Sequence, residues 1–395
     1  MSTYLDSLPR SESTLPYRPQ LDGLRTLAVG AVLAQHFLGL YNLPGVLGRV
    51  PWGNMGVKLF FVLSGFLITG ILLRSRDAID AAQVSSWFSA RQFYIRRFLR
   101  IFPLYYLLIA VCVAINLHPV REILAWLLTY TVNIYAAMQG KWMDYFAHLW
   151  SLAVEEQFYI VWPWFVLFAT RKRLPVIMLA MVAIGAGWRG YAYFRGMNYI
   201  AIDHFTFACL DTLALGSLLA LLHHSQISKR SIQRYMTRVV LPLGLLGAAV
   251  VFALRDAGIY QPADIILFET FTGLIFCWLV SGAMLGFRGP GGALLGLRPV
   301  VYCGRISYGI YVYQPFAGSL VKIFCDKIGF NLHQPGWLNL LLVALMSVLM
   351  ASLSWFLLEQ PINNLKRYVG YHQRRSPAEI ETPVAGAANE LGASA

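Results

Sequence analysis

Charged side chains are scarce in this sequence: Asp, Glu, Lys and Arg make up 13% of its 395 residues, against roughly a quarter in a soluble domain. So little charge cannot clothe an aqueous globule in which 57% of residues are hydrophobic. Acidic residues are the rarer sign, 19 against 32 basic. Cysteine is rarer still. Cys112, Cys209, Cys277 and Cys303 fall inside apolar stretches and Cys325 beside one, which excludes a disulfide framework and a CxxC metal site. Strand-type alternation is missing. Residues 1–20 lack the charged start, apolar core and small-residue cleavage site of a secretory signal, so the first apolar helix reads as an uncleaved anchor.

What the sequence has instead is apolar runs, with Gly, Trp and Tyr gathered at their ends. Runs of about 20 residues cross the hydrocarbon core of a bilayer as helix. The expected fold class is therefore all-α, a polytopic membrane helix bundle. Ten crossings are expected near residues 24–43, 56–73, 101–117, 148–169, 174–193, 205–223, 238–254, 264–286, 300–321 and 336–358. An eleventh stretch, residues 122–138, is short and carries Thr129, Thr131 and Asn133. If it does not cross, the basic residues outside the helices divide 21 to 8 between the two sides, with Lys58 counted on the poorer side and Arg25, Arg189 and Arg305 inside helices. The positive-inside rule then predicts both termini in the cytoplasm and residues 122–138 lying in or re-entering the outer interface. The net charge of +13 is accounted for by topology and attraction to anionic membrane lipids, and implies no nucleic-acid partner. Residues 1–20 read as a cytoplasmic segment, 21–365 as the membrane domain, and 366–395 as a disordered cytoplasmic tail.

A charged or titratable group inside a membrane helix is costly, so each one is a candidate for function. Arg25 and His36 stand eleven residues apart, which places them about 20° apart on one helix face and roughly 16 Å apart along the axis. Asp22 lies on nearly the same stripe and can pair with Arg25. An imidazole at mid-membrane takes a hydroxyl proton near neutral pH, while a guanidinium at the mouth suits an anionic donor. In SSWFSARQFYIRRFLRIFPLYY, from Ser85 to Tyr106, aromatic residues interleave with arginines. That pattern predicts a basic amphipathic helix on the inner surface running into the third crossing. Arg97 and Arg100, with Arg96, fall at helical spacings that can converge on one phosphate; their plainer reading is topology and lipid binding.

His148, Ser151, Glu155 and Tyr159 form one stripe at the outer start of the fourth crossing, with Glu156 beside it. Such carboxylates can line a polar acceptor cavity or hold His36 in its active tautomer. A complete Ser-His-acid triad is not expected, since side chains on one helix face point the same way. Gly56, Ser64, Gly65 and Gly70 suggest close helix contact. Asp211, read as mid-helix, needs a polar neighbour.

Together these blocks resemble the acyltransferase 3 family, the bacterial inner-membrane O-acyltransferases of surface and secreted polysaccharides. The resemblance runs in order through LDGLRTLAVGAVLAQH, GVKLFFVLSGFLI, RRFLRIFPLYY, LWSLAVEEQFYIVWP, DTLALGSLLA, RISYGIYVYQP and LEQP. It implies ten helices, no tightly bound cofactor, an acyl-CoA donor (acetyl-CoA by family expectation) taken from the cytoplasm, and transfer to a sugar hydroxyl outside. It also implies possible polysaccharide-assembly proteins as partners. Arg25 and His36 carry over as the essential pair, Arg97 and Arg100 as donor-binding, and Glu155 as a further site residue. Gln314 stands where many members have His, and Cys209 where members often have Arg, so neither role carries over. Some relatives append an esterase-like outer domain that this chain does not show.

The mechanism expected is that Arg97 and Arg100, with Arg96, hold the donor's phosphates while its acyl arm reaches His36. His36 acts either as general base or as a transient acyl carrier. Asp22, Ser64, Ser151, His148, Glu156 and Asp211 are the supporting or acceptor-side candidates. The rival from another class, a transporter or flippase for a lipid-linked sugar, predicts repeated halves with broken helices, and no such halves are visible.

Overall fold

The computed structural model describes residues 17–40, 46–258, 261–330, 332 and 334–370. The expectations for residues 1–16 and for the tail from 371 onward lie outside the described residues. Among those described, ten helices run 15 residues or more and no strand occurs. They are α1 (Pro19–Phe37), α2 (Trp52–Asp80), α3 (Ser86–Ala114), α4 (Leu149–Phe168), α5 (Leu174–Phe194), α6 (Leu210–His224), α7 (Leu241–Asp256), α8 (Gln261–Leu285), α9 (Ser307–Lys327) and α10 (Trp337–Ser354). Seven of the helical stretches are long and apolar enough to cross a membrane, those containing α2, α3, α5, α6, α7, α8 and α10. The other three, α1, α4 and α9, carry Asp22, Arg25 and His36, Glu155, Glu156 and Gln157, and Gln314 respectively. The polar groups that weaken their apolar character are the same ones that make them interesting.

The basic segment and the third apolar run form one helix. Ser85 starts it, its side chain accepting the Phe88 N–H at 3.1 Å, as an N-cap should. Residues 122–138 do not form one crossing helix. They break into Leu124–Leu128 and Val132–Gln139, which at 1.5 Å per residue span about 7 and 12 Å, far short of a 30 Å core. The interruption leaves carbonyls that lipid cannot satisfy. Tyr105 donates to Leu127 O at 2.8 Å, Tyr106 to Leu128 O at 2.9 Å and Gln157 to Tyr130 O at 2.7 Å. Thr129, Thr131 and Asn133 are thus part of a built irregular segment held by α3 and α4.

α2 lies at the centre, packed on α1, α4, α6 and α8. Its crossing with α6 is reciprocal. A Cβ on Gly65 would lie 2.0 Å from Leu213 O, and one on Gly216 would lie 2.1 Å from Val62 O, so only glycine lets the two backbones touch. Gly56 does the same against α1, at 2.4 Å from Ala28 O. Ser64, between these contacts, is thereby pointed at α4.

Gly216→Ala is expected to lower the thermal unfolding midpoint of the detergent-solubilised protein. Gly30→Ala, where a Cβ meets nothing within 4 Å, should hold or raise it, since alanine is the better helix former. Equal midpoints for the two variants would contradict the α2–α6 contact.

Candidate active site

α1 connects two cavities. The one toward its N-terminal end, about 100 Å³, is lined by Arg25, Ser64, Leu67, Arg97, Arg100, Ser151, Glu155, Glu156, Tyr159, Tyr308 and Tyr311. The one toward its C-terminal end, about 980 Å³, is lined by Gln35, His36, Asn54, Trp142, Asp144, Tyr145, His148, Trp150, Tyr199, His204, Tyr311, Lys322 and Asn339, among others. The eleven-residue spacing on α1 places Arg25 in one cavity and His36 in the other.

In the smaller cavity three guanidiniums face a carboxylate pair. Arg25 is tied to Asp22 at 2.6 Å, and Tyr17 donates to the other Asp22 oxygen at 2.9 Å. Arg97 lies over the Tyr159 ring, 4.8 Å from its centroid, a cation–π seat that leaves its N–H edge available. Arg100 is exposed. The α3–α4 packing that orients them includes Trp87 against Trp164 and Phe168, and the Tyr94 hydroxyl donating to Ile160 O at 2.7 Å. Across from the arginines, Ser64 donates to Glu155 at 2.6 Å and Tyr159 donates to Ser64 at 2.9 Å. Glu156 is buried, and its Oε1 has no hydrogen-bond partner among the described residues.

In the larger cavity His36 is exposed to the cavity space, and its Nδ1 lies 3.2 Å from Gln314 Oε1. With the amide oxygen accepting, Nδ1 carries the proton and Nε2 is the basic nitrogen. The surrounding wall mixes flat rings (Trp142, Tyr145, Trp150, Tyr199) with amides and charged groups. Buried Gln35 Oε1, Asn54 Oδ1 and His148 Nδ1 lack protein partners among the described residues. Such a surface offers a polyhydroxylated ring both stacking faces and hydrogen-bonding atoms.

Several placements differ from the sequence expectation. Arg96 does not join Arg97 and Arg100: it donates to Lys366 O at 3.0 Å and Val369 O at 2.6 Å, holding the chain beyond α10 against α3. Four residues of spacing allow convergence, but the orphan carbonyls of that last turn claim this side chain. Glu155, Glu156 and Ser151 belong to the arginine cavity, and the hydrogen-bonding partner of His36 among the described residues is Gln314. Ser151 bonds the Tyr311 hydroxyl at 2.7 Å and the His148 carbonyl at 3.3 Å, not an imidazole nitrogen, and His148 Nε2 lies 3.2 Å from Val312 O. Asp211 lines neither cavity. It sits in the first turn of α6, fully buried, 2.7 Å from Arg189 and 2.6 Å from the Thr270 hydroxyl.

Asp211 is one corner of an ion network that sequence reasoning missed. Lys58, counted above among loop residues, is buried within α2 and pairs with Glu269 at 2.5 Å. Glu269 also meets Arg189 at 3.3 Å, and Asn54 donates to both Glu269 and Asp203 at 3.0 and 3.1 Å. Lys58 on α2 and Arg189 on α5 are thus each paired with carboxylates from α6 and α8, as burial of a charge in a membrane domain requires. The cation that Cys209 does not supply reaches Asp211 from Arg189 on α5. The other missed residues are Gln314 and Tyr311, three apart on α9. The RISYGIYVYQP block contains both, and their shared helix face was the available signal.

A family model described as an acyltransferase domain matches residues 18–359. The peptidoglycan O-acetyltransferase OatA of Listeria monocytogenes is 30% identical over 378 residues, which cover 88% of this chain and 56% of that protein. The O-acetyltransferase OatA of Staphylococcus aureus is 26% identical over 370 residues, covering 88% of this chain and 57% of that protein. The chain thus spans little more than half the length of these curated relatives. No solved structure matches it.

Lys58→Met is expected to destabilise the protein by about 3–5 kcal/mol, because it strands a buried carboxylate. Pairing it with Glu269→Gln should recover part of that loss. Unfolding midpoints in detergent read both, and a double variant less stable than Lys58→Met would show that the pair is not the relevant unit.

Proposed function

The chain belongs to the acyltransferase family whose domain it matches over residues 18–359, and from that premise we propose that it is a multi-pass membrane O-acetyltransferase acting on a saccharide hydroxyl. The observation that carries this reading is the division of labour along α1, with guanidiniums at one cavity and an imidazole at the other. In this reading the helices cross the membrane ten times, with both termini in the cytoplasm of a bacterial inner membrane. The arginine cavity then opens toward the cytoplasm and the His36 cavity toward the outside.

The donor is acyl-CoA, acetyl-CoA by family expectation. Arg97 and Arg100 bind its phosphates, the guanidinium fork being suited to phosphate oxygens. Neither forms a hydrogen bond or ion pair within the described residues, so both are available. Arg25, held by Asp22, faces the same cavity and steers the thioester end. Ser64, Glu155 and Tyr159 make a fixed hydrogen-bonded wall opposite. The slender pantetheine arm, with the nucleotide left at the mouth, is the part of CoA that a 100 Å³ cavity suits.

At His36, Nε2 removes the acceptor hydroxyl proton as the oxygen attacks the thioester carbonyl, and CoA leaves as the thiol. Nε2 is equally placed to take the acyl group first and pass it on. Gln314 serves both routes by fixing the tautomer. The acceptor is a saccharide outside the membrane. Peptidoglycan, named for the Listeria relative, is one such polymer; exopolysaccharide, lipopolysaccharide and a lipid-linked repeat unit are the others. Polysaccharide-assembly proteins are the partners this role would bring, and anionic lipids the surroundings of the arginine-rich end of α3.

His36→Gln should retain acyl-CoA binding and lose transfer by about 10² to 10⁴, the usual value of a positioned base. Arg97→Gln with Arg100→Gln should weaken acyl-CoA binding and reduce its salt dependence while leaving the protein folded. Binding isotherms and thiol release by the purified chain check both. Normal transfer by His36→Gln would make His36 a packing residue. Unchanged affinity in the arginine variant would return RRFLR to lipid attraction and topology.

A further inference from the structure

The two cavities adjoin along α1. Their linings share only Val57 on α2 and Tyr311 on α9. Tyr311 is buried, and its ring is held edge-on to Phe60 at 6.3 Å between centroids and tilted against His148 at 5.6 Å. Its hydroxyl is pinned from the α4 side, 2.7 Å from Ser151 Oγ and donating to His148 O at 2.8 Å. Nothing in the proposed chemistry uses Tyr311, yet it stands at the wall common to the arginine cavity and the His36 cavity.

The two spaces are also very unequal, about 100 Å³ against about 980 Å³. The smaller one has room for the end of a thioester arm with a short acyl group, and less for a long chain than the larger one has.

We infer that Tyr311 and Val57 form the partition between donor and acceptor cavities, and that the passage they leave selects for small acyl groups. The inference rests on the acyltransferase reading, which it extends from the type of reaction to the size of the group transferred. The ring supplies the bulk, and the two hydrogen bonds of the hydroxyl hold it in place. Val57 is the opposite jamb, small enough to leave an opening.

The test compares acetyl-CoA with butanoyl-CoA as donors for the full chain in nanodiscs, with an N-acetylglucosamine tetramer as acceptor; thiol release and product mass are the readouts. Because one methylene against a fitted pocket is worth about 10–200-fold, Tyr311→Ala should raise the butanoyl-to-acetyl ratio by about tenfold or more. Tyr311→Phe, which keeps the ring, should keep the ratio near that of the parent. A second arm needs no donor. In a chain whose five native cysteines are replaced, Leu67→Cys on the arginine cavity should be protected from an impermeant thiol reagent added outside, and should become labelled when Tyr311→Ala is added. An unchanged ratio in Tyr311→Ala, a rise as large in Tyr311→Phe, or labelling of Leu67→Cys with Tyr311 intact would each overturn the partition. If the parent chain releases no thiol from acetyl-CoA, the donor assignment fails by itself, and the labelling arm decides the partition alone.

Discussion

Everything in this structure answers to one constraint: in a domain built to sit in lipid, a polar group has no solvent to fall back on and must be met by the protein or by a ligand. Most polar groups here are met. The broken segment between α3 and α4 finds Tyr105, Tyr106 and Gln157. Lys58 and Arg189 pair with Glu269 and Asp211, and Asn54 bonds Glu269 and Asp203. Arg96 caps the carbonyls beyond α10. Among the polar groups that remain, Arg25, Arg97, Arg100 and Glu156 line one cavity along α1, and His36, Gln35, Asn54 and His148 line the other.

The cavities divide by chemistry. One gathers guanidiniums that no described carboxylate pairs with, apart from Arg25, and suits phosphate. The other sets His36, beside Gln314, among aromatic rings and amides, and suits a saccharide. The glycine contact of α2 with α6 and the capped start of α3 are what hold this division. The first turns Ser64 toward Glu155, and the second stabilises the start of the continuous helix whose 3.6-residue period puts Arg97 and Arg100 on one face.

Much of this was legible in the sequence where one helix carries the information. The α1 spacing of Arg25 and His36, the Asp22 partner, the continuous basic helix into α3 and the glycine-mediated contacts are consequences of a 3.6-residue period acting locally. What was not legible depends on which helices meet. Lys58 reads as a loop charge until α8 brings Glu269 against it. Arg96 and Arg97 are neighbours in sequence, and only the course of the chain after α10 decides that one of them is claimed by carbonyls. Glu155 was expected on the acceptor side, from its position along α4, and lies instead against Ser64 in the arginine cavity. Gln314 counted only as a missing histidine, until the packing of α9 on α1 showed it holding the ring of His36.

The central claim is that donor and acceptor are served from opposite faces of one membrane domain. Oriented vesicles test it most directly: acetyl-CoA labelled in the acetyl group is supplied on one face and a saccharide acceptor on the other, in both orientations. The account predicts labelled saccharide only when acetyl-CoA is on the face bearing Arg171, Lys172 and Arg173 and the acceptor is on the opposite face. Product formed only when both substrates share a face would contradict it.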